Sequence, residues 1–504
     1  MCRKFDPLVL KLDYVVLLIV CLAIRIYHID TIDLWGDEIH HFFNLHDIGR
    51  INEMLLNVRK TALYAAVNIG YKWILPKDLL YSYNFIPRIP ALVFGALSVV
   101  ILYDAFKRYV GNIPAYIVGC LSCASYPLII FAIRSRVYSM THFFLAVYIW
   151  LYLSMMKEIT HKKLVVFLIS ALFGFFTYPY LAFSIYGFYA CMGLFIFKGE
   201  FSTRKFFIAT SAIFILVSLT FLVITQATFS HPIYETIPLS SSFFIYALKG
   251  MLSYYSGNSY LFIGIAFVLP LMNFYNTMKG RADLNYVYLL WMFCSTLIVM
   301  HILIVTHTGN AFNPRHVTHL AVPFIACLSL AIYEIHQYGE RYTVKTKVYS
   351  HFTVCFLAFV TILAFSTRDF RYYLETGINY HGGSNRYSTD LVFLNDTIRQ
   401  YGENRLLIIS PKREENHIFY FYRSRKHVVT PQDLNDDRAI LNAHEDSIFI
   451  GFVYFKEKDI NRLSVRFGDQ FKIIKNNRIT LFISNKKIKK GHVVEAIKTY
   501  LKDS

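Results

Sequence analysis

The chain has 504 residues, 55% of them hydrophobic and 17% charged, with a mean hydropathy of +0.41. A soluble protein of this length carries about 25% charged residues, and none needs apolar runs of roughly 17–25 residues along most of its length. The formal charge of +18 does not indicate nucleic acid, because Lys and Arg collect in short loops between apolar runs and not along one groove. The fold class that follows is a polytopic α-helical protein with the lipid bilayer as its first partner.

In chain order, the apolar runs predict about eleven membrane spans of bilayer-crossing length. They cover residues 8–28, 87–106, 112–130, 139–156, 164–180, 182–198, 206–225, 259–275, 286–306, 316–334 and 349–366. The first follows Arg3 and Lys4, is too long for a signal-peptide core and lacks a small-residue cleavage site, so it reads as an uncleaved span. Loops carrying Arg3/Lys4, Lys107/Arg108, Lys157/Lys162/Lys163, Lys198/Arg204/Lys205, Lys279/Arg281 and Arg341/Lys345/Lys347 alternate with loops that are less basic. The positive-inside rule puts that set, with the N-terminus, in the cytoplasm. An odd number of spans then puts the C-terminal tail outside a plasma or inner membrane.

Two domains are expected: a membrane domain over 1–366 and an extracytoplasmic α/β domain over 367–504. Two of the outer loops are long. In the first, 29–86, the stretch Met54 to Leu75 suits a helix lying along the interface. The second, 226–258, offers Tyr234, Tyr254 and Tyr255 for an interfacial belt or a sugar-stacking surface. The tail alternates strand-like runs (Leu406–Ile409, Ile448–Tyr454, Phe471–Ile474, Ile479–Ile483) with helical ones (Leu391–Tyr401, Val493–Leu501). It has no Gly-rich phosphate loop and no metal-ligand spacing, and none of the eight cysteines lies after Cys355. Cys120 and Cys123 form a CxxC inside a span, where small buried side chains are the simpler reading.

Chemistry concentrates on the outer side of this topology. Asp37 and Glu38 follow the first span, bracketed by Trp35 and by His40 and His41. Neighbouring helical residues point about 100° apart, so one carboxylate suits a general base and the other a structural or metal-binding role. Glu38, His40 and His41 are candidate ligands for a divalent metal, although Asp-Glu-x-His-His is not an established ligand spacing. No other cofactor is expected. Arg134-Ser135-Arg136-Val137-Tyr138 is the strongly basic short outer loop, and it opens the fourth span at the positive end of the helix dipole. Anchoring to lipid head groups is the alternative for these arginines. Tyr138 suits either the orientation of a phosphate or an interfacial anchor. Asn313-Pro314-Arg315-His316 opens the tenth span with a good cap and a favoured first residue, and Arg88 after Pro87 repeats the arrangement at the second. Several cations and one acidic pair on one face suit a lipid-linked phosphate and a nucleophile to be deprotonated.

These residues resemble the membrane glycosyltransferases of the C-type fold, in the branch of dolichyl-phosphate-mannose protein mannosyltransferases and bacterial aminoarabinose transferases. Asp37-Glu38 sits where that family has its acidic pair. Asn84-Phe85-Ile86-Pro87-Arg88-Ile89-Pro90-Ala91 is similar to its Arg-Leu-Pro-Ser stretch, Arg136-Val137-Tyr138-Ser139 to its Glu-Ala-Arg-x-Tyr-Ala segment, and Arg315-His316 to a late Arg-Tyr motif. Arg134 stands where many relatives have Glu, and Thr61-Ala62-Leu63-Tyr64 replaces Pro-Pro-Leu-Tyr, with Lys60 keeping the preceding basic residue.

The resemblance implies a polyprenyl-phosphate sugar donor, an acceptor that is protein, lipid or glycan, and inversion at the anomeric carbon. It makes Asp37 the base, and Lys60, Arg134, Arg136 and Arg315 the groups that neutralise the departing phosphate. Arg88 and His316 join them as candidates. A flippase or transporter, a polymerase or ligase of lipid-linked glycans, and a non-catalytic scaffold share many of these features.

Overall fold

A computed structural model describes residues 7–27, 29, 38, 62–76, 85–178, 181–196, 201–226 and 319–340, and in the tail 406–409, 428–429, 449–453, 461, 465, 471–476 and 479–484. The chain divides into two compact units. The first comprises Met1–Thr31, Asp47–Leu75 and Phe85–Gly377; the second comprises Ile32–His46, Pro76–Asn84 and Ile378–Ser504.

The first unit is helical: α1 (Pro7–Ile26), α2 (Ala62–Ile74), α3 (Ile89–Tyr109), α4 (Asn112–Ala124), α5 (Tyr126–Ala132), α6 (Tyr138–Lys157), α7 (His161–Thr177), α8 (Leu181–Ile196), α9 (Phe201–Gln226) and α10 (Ala321–Glu340). The expected spans at 8–28, 87–106, 112–130, 139–156, 164–180, 182–198, 206–225 and 316–334 coincide with α1 and α3 to α10 to within a few residues, α4 and α5 sharing one span. Those at 259–275, 286–306 and 349–366 lie outside the described residues. Among the described residues, 86–109, 138–157 and 202–220 are long and apolar enough to cross a membrane by themselves, and the bent pair α4–α5 would add a fourth crossing. The exterior of the bundle is apolar too: Leu12, Val16 and Ile19 on α1, Val166 and Ile169 on α7, and Ile208 and Leu216 on α9 are exposed. A surface of that kind suits hydrocarbon and not water.

α6 forms the core of the bundle. Tyr148, Ile149, Tyr152 and Met155 are enclosed on its faces, and it packs against α3, α7, α10 and α5. Glycines set the closest approaches. A Cβ at Gly95 of α3 would collide with Ala132 of α5, and one at Gly119 would press on Tyr103 and Leu17. Gly111 begins α4 at φ +147°, a conformation that side chains disfavour, which allows a tight reversal out of α3.

Two carboxylates fix the antiparallel pairing of α1 and α3 at one end. Asp13 Oδ2 lies 2.5 Å from Lys107 Nζ and accepts from the hydroxyls of Tyr103 (3.1 Å) and Tyr116 (3.2 Å). Asp104 accepts from Tyr14 (2.6 Å), Arg108 Nε (2.7 Å) and Trp150 Nε1 (2.8 Å). Four helices (α1, α3, α4 and α6) are thereby tied through charges that would be costly to bury with fewer donors.

The described strands of the tail form a mixed sheet in the order β2-β1-β3-β5-β4. β1 (Leu406–Ile409) runs parallel to β2 (Val428–Val429) and to β3 (Phe449–Val453). β4 (Phe471–Asn476) and β5 (Ile479–Ser484) pair as a hairpin, with β5 antiparallel to β3. β1 and β3 are entirely apolar apart from Gly451, as suits central strands, whereas edge strand β4 carries Lys472 and Lys475. Each strand expected from the sequence is present; Val428–Val429 was not expected, being two residues long. The expected helices at 391–401 and 493–501 lie outside the described residues.

Lys107→Met is expected to lower the thermal midpoint of the purified protein by several degrees, because Asp13 stays largely enclosed without its countercharge. Adding Asp13→Asn should recover part of the loss. Equal midpoints for the single and double variants would mean that the tyrosines alone hold the carboxylate.

Candidate functional site

At the other end of α1 and α3, arginines take the place of carboxylates. The chain leaves α5 at Ile133 and turns through Arg134, Ser135 and Arg136 into α6, with Arg136 N–H donating to Arg134 O at 2.7 Å. Arg134 is 1% exposed and Ser135 is fully buried. That enclosure keeps Arg134 from reaching lipid head groups. The Arg136 guanidinium carbon lies 5.8 Å from the centre of the Tyr138 ring. Tyr138 is buried, edge-on to Phe131 at 4.8 Å and to Tyr178 at 6.3 Å. Tyr178 in turn meets the buried His319 ring at 5.7 Å, just before α10. One aromatic chain thus joins α5, α6, the α7–α8 connection and the start of α10.

α6 begins without a side-chain cap. Its first N–H groups have no intrahelical acceptors, and the helix dipole adds partial positive charge there. The hydroxyl of Ser139 in this first turn is fully buried and has no hydrogen-bond partner. The arrangement can stabilise an anion with backbone donors, a hydroxyl and two guanidinium groups.

Two further arginines organise the same end. Arg88 closes the 3-10 turn Ile86–Arg88 that leads into α3, is fully buried, and donates from Nη1 to Ile29 O at 2.6 Å. It therefore holds the chain just after α1, where the acidic loop begins. Arg25, also fully buried, donates to Cys21 O (3.2 Å) and to Ser122 O (3.3 Å). Ser122 lies just before the break between α4 and α5, a bend of 57° at Ser125, whose backbone is extended (φ −65°, ψ 114°). Pro127 lacks the N–H that would continue the helix, so the last carbonyls of α4 need other donors, and Arg25 supplies one.

α2 covers the described part of the stretch Met54 to Leu75 in which an interfacial helix is expected. Its enclosed stripe is Tyr64, Ala65, Asn68 and Lys72, while Trp73 and Ile74 are exposed by 71% and 82%. Two polar side chains are thus enclosed on a helix that leaves two large apolar ones exposed. The helix packs against α7 and α3, and the Tyr71 hydroxyl donates to Ile86 O at 3.0 Å, tethering α2 to the turn before Arg88. Burial pushes the Lys72 pKa down to about 7 and that of Tyr71 up to about 12.

Of the residues singled out in the sequence, Arg88, Arg134, Arg136 and Tyr138 are described in the first unit, and Arg136 and Tyr138 are brought together. Glu38 is helical and fully buried, within the second unit. Asp37, His40, His41, Lys60, Arg315 and His316 lie outside the described residues. Among the described residues no group of three or more side chains could hold a metal ion. Cys120 is exposed and Cys123 buried, both as free thiols. Arg25, Asn68, Lys72 and His319 were not anticipated. The signal for Arg25 was available, since a charged side chain within an apolar span needs a reason.

No family model matches this sequence, and no curated protein matches it. The likeness is one of fold. The crystal structure of ArnT from Cupriavidus metallidurans in the apo state superimposes with a TM-score of 0.54 at 11% identity, covering 94% of this chain and 98% of that one. ArnT bound to undecaprenyl phosphate gives 0.54 at 11% identity, over 93% and 97%. The oligosaccharyltransferase of Archaeoglobus fulgidus gives 0.47 at 9%, over 90% and 69%. The chain therefore shares the fold of ArnT.

The low pKa of Lys72 has a sign that can be checked. An unfolded chain keeps this lysine protonated up to about 10.5, whereas the folded chain releases the proton near 7. Between those values the unfolded state binds more protons, so this group's contribution to stability rises with pH. Lys72→Met should accordingly raise the thermal midpoint at about pH 6, and the gain should shrink by about pH 9. A gain equal at both pH values would show that Lys72 does not titrate in this range.

Proposed function

We propose that this protein transfers a sugar from a polyprenyl-phosphate donor to a protein, lipid or glycan acceptor on the non-cytoplasmic face of the membrane, with inversion. The observation that carries this reading is the turn of buried Arg134 and half-buried Arg136 over the uncapped start of α6, with the Ser139 hydroxyl unpartnered in the same turn. It suits a phosphate whose negative charge grows as the glycosidic bond breaks. The ArnT fold supports it, because that protein binds undecaprenyl phosphate.

In the proposed reaction Asp37 takes the proton of an acceptor hydroxyl or amine, with Glu38 as its structural neighbour. The acceptor lone pair forms the new bond at the anomeric carbon. The bond from that carbon to the phosphate oxygen breaks, and polyprenyl phosphate leaves with the electron pair. Arg134 and Arg136, with Lys60, Arg315 and His316, would neutralise it, each well-placed group supplying about 3 kcal/mol of transition-state stabilisation. Arg88, tied to Ile29 O, contributes by holding the start of the acidic loop. A divalent metal would belong beside Glu38, His40 and His41.

Mass spectrometry of surface glycans and lipids from cells with and without the protein should reveal one sugar modification that depends on it. Asp37→Asn should abolish that modification while the protein remains folded and inserted; normal transfer by this variant would remove Asp37 as the base. Arg136→Ala should weaken binding of undecaprenyl phosphate by about tenfold or more and affect acceptor binding less. Equal effects on both would count against the phosphate role.

A further inference from the structure

The buried stripe of α2 is not used by the phosphate site. Asn68 is fully buried, and neither its amide nitrogen nor its amide oxygen has a hydrogen-bond partner. Lys72 is 8% exposed. The two residues are one helical turn apart, so their side chains lie side by side, about 6 Å apart along the axis, and Tyr64, 1% exposed, is one turn earlier on the same face. An unmade hydrogen bond at a buried amide costs roughly 1–3 kcal/mol, and burial of the lysine adds a desolvation cost. An apolar residue at position 68 would avoid the first cost, and large apolar residues of the same helix, Trp73 and Ile74, are exposed instead. The polar groups face inward against that cost.

The chemistry of the unpartnered Asn68 amide selects its ligand. A primary amide presents donors and an acceptor together, and so complements a hydroxyl, which both gives and takes a hydrogen bond. A phosphate oxyanion only accepts and would leave the amide oxygen opposed to negative charge. Lys72 adds donors that a ring hydroxyl or ring oxygen can accept. Tyr71, tethered to Ile86 O, holds this helix beside the turn that carries Arg88.

We propose that Asn68 and Lys72 form a subsite for the hydroxyls of a sugar ring, separate from the groups that hold phosphate. It rests on the glycosyltransferase reading above and extends it, because it assigns the choice of sugar to α2. The ring can belong to the donor or to a glycan acceptor, and the chemistry is the same.

The test uses the full chain in lipid nanodiscs with three sets of probes: bare undecaprenyl phosphate, undecaprenyl phosphate carrying single hexoses or pentoses, and free oligosaccharides. Asn68→Ala and Lys72→Met should each weaken the preferred sugar-bearing probe by about tenfold while leaving bare undecaprenyl phosphate within about twofold. Loss on the glycosylated lipids assigns the ring to the donor; loss on the oligosaccharides assigns it to the acceptor. Equal loss on the bare lipid would make the pair a phosphate or purely structural element and overturn the subsite. So would unchanged binding of every probe by both variants, or a wild type that prefers no sugar-bearing probe. A wild type that binds no polyprenyl phosphate at all overturns the glycosyltransferase reading, and the subsite with it.

Discussion

Within a bilayer every polar group needs a partner inside the protein, and in this bundle the demand falls on buried arginines and backbone carbonyls that satisfy each other. Arg25 is the pivotal case. Its bonds to Cys21 O and Ser122 O let α4 end early, in the middle of an apolar span, without leaving its last carbonyls bare. The break frees α5 to tilt by 57° and to meet Gly95 of α3 at close range. The turn through Arg134 and Arg136, and with it the start of α6, is placed by that tilt. Arg88 makes the matching exchange with Ile29 O and fixes where the first long loop departs.

The two ends of the bundle solve the same problem with opposite charges. At one end Asp13 and Asp104 collect tyrosine, tryptophan, lysine and arginine donors, and the charges close on themselves. At the other, Arg25 and Arg88 are held by carbonyls, which carry no formal negative charge. These arginines lie at the same end of the bundle as the uncapped N-terminus of α6.

The helices were legible because a bilayer imposes one length and one composition on each crossing, and the described helices match their expected spans closely. The break at Ser125 was not, since the run 112–130 carries no charged residue and Pro127 alone does not separate a kink from a stop. The site was legible as chemistry but not as burial. Arg134-Ser135-Arg136 reads in sequence as an exposed basic loop, yet the residues around it enclose Arg134 and Ser135 almost completely. Amphipathic spacing in α2 identifies two faces but not which residues are enclosed, and here Asn68 and Lys72 turn in while Trp73 and Ile74 are exposed.

Enclosure changes what the positive charges can do. A guanidinium at a wet surface interacts with a phosphate at about 1 kcal/mol over 4 Å, and several times more strongly where water is scarce. Arg134 is already enclosed before any ligand arrives. The same holds for α6, whose first N–H groups are already oriented. In the proposed reaction the charge that matters appears late, as the phosphate leaves, so groups fixed in advance act mainly on the transition state and need little reorganisation. A lipid-linked donor suits such a site, because its polyprenyl chain stays in the hydrocarbon while only its head group enters. In the proposed reaction a field tuned for phosphate would attract every such donor equally, so selectivity among sugars would fall to neutral hydrogen-bonding groups, and the buried amide of Asn68 is of that kind.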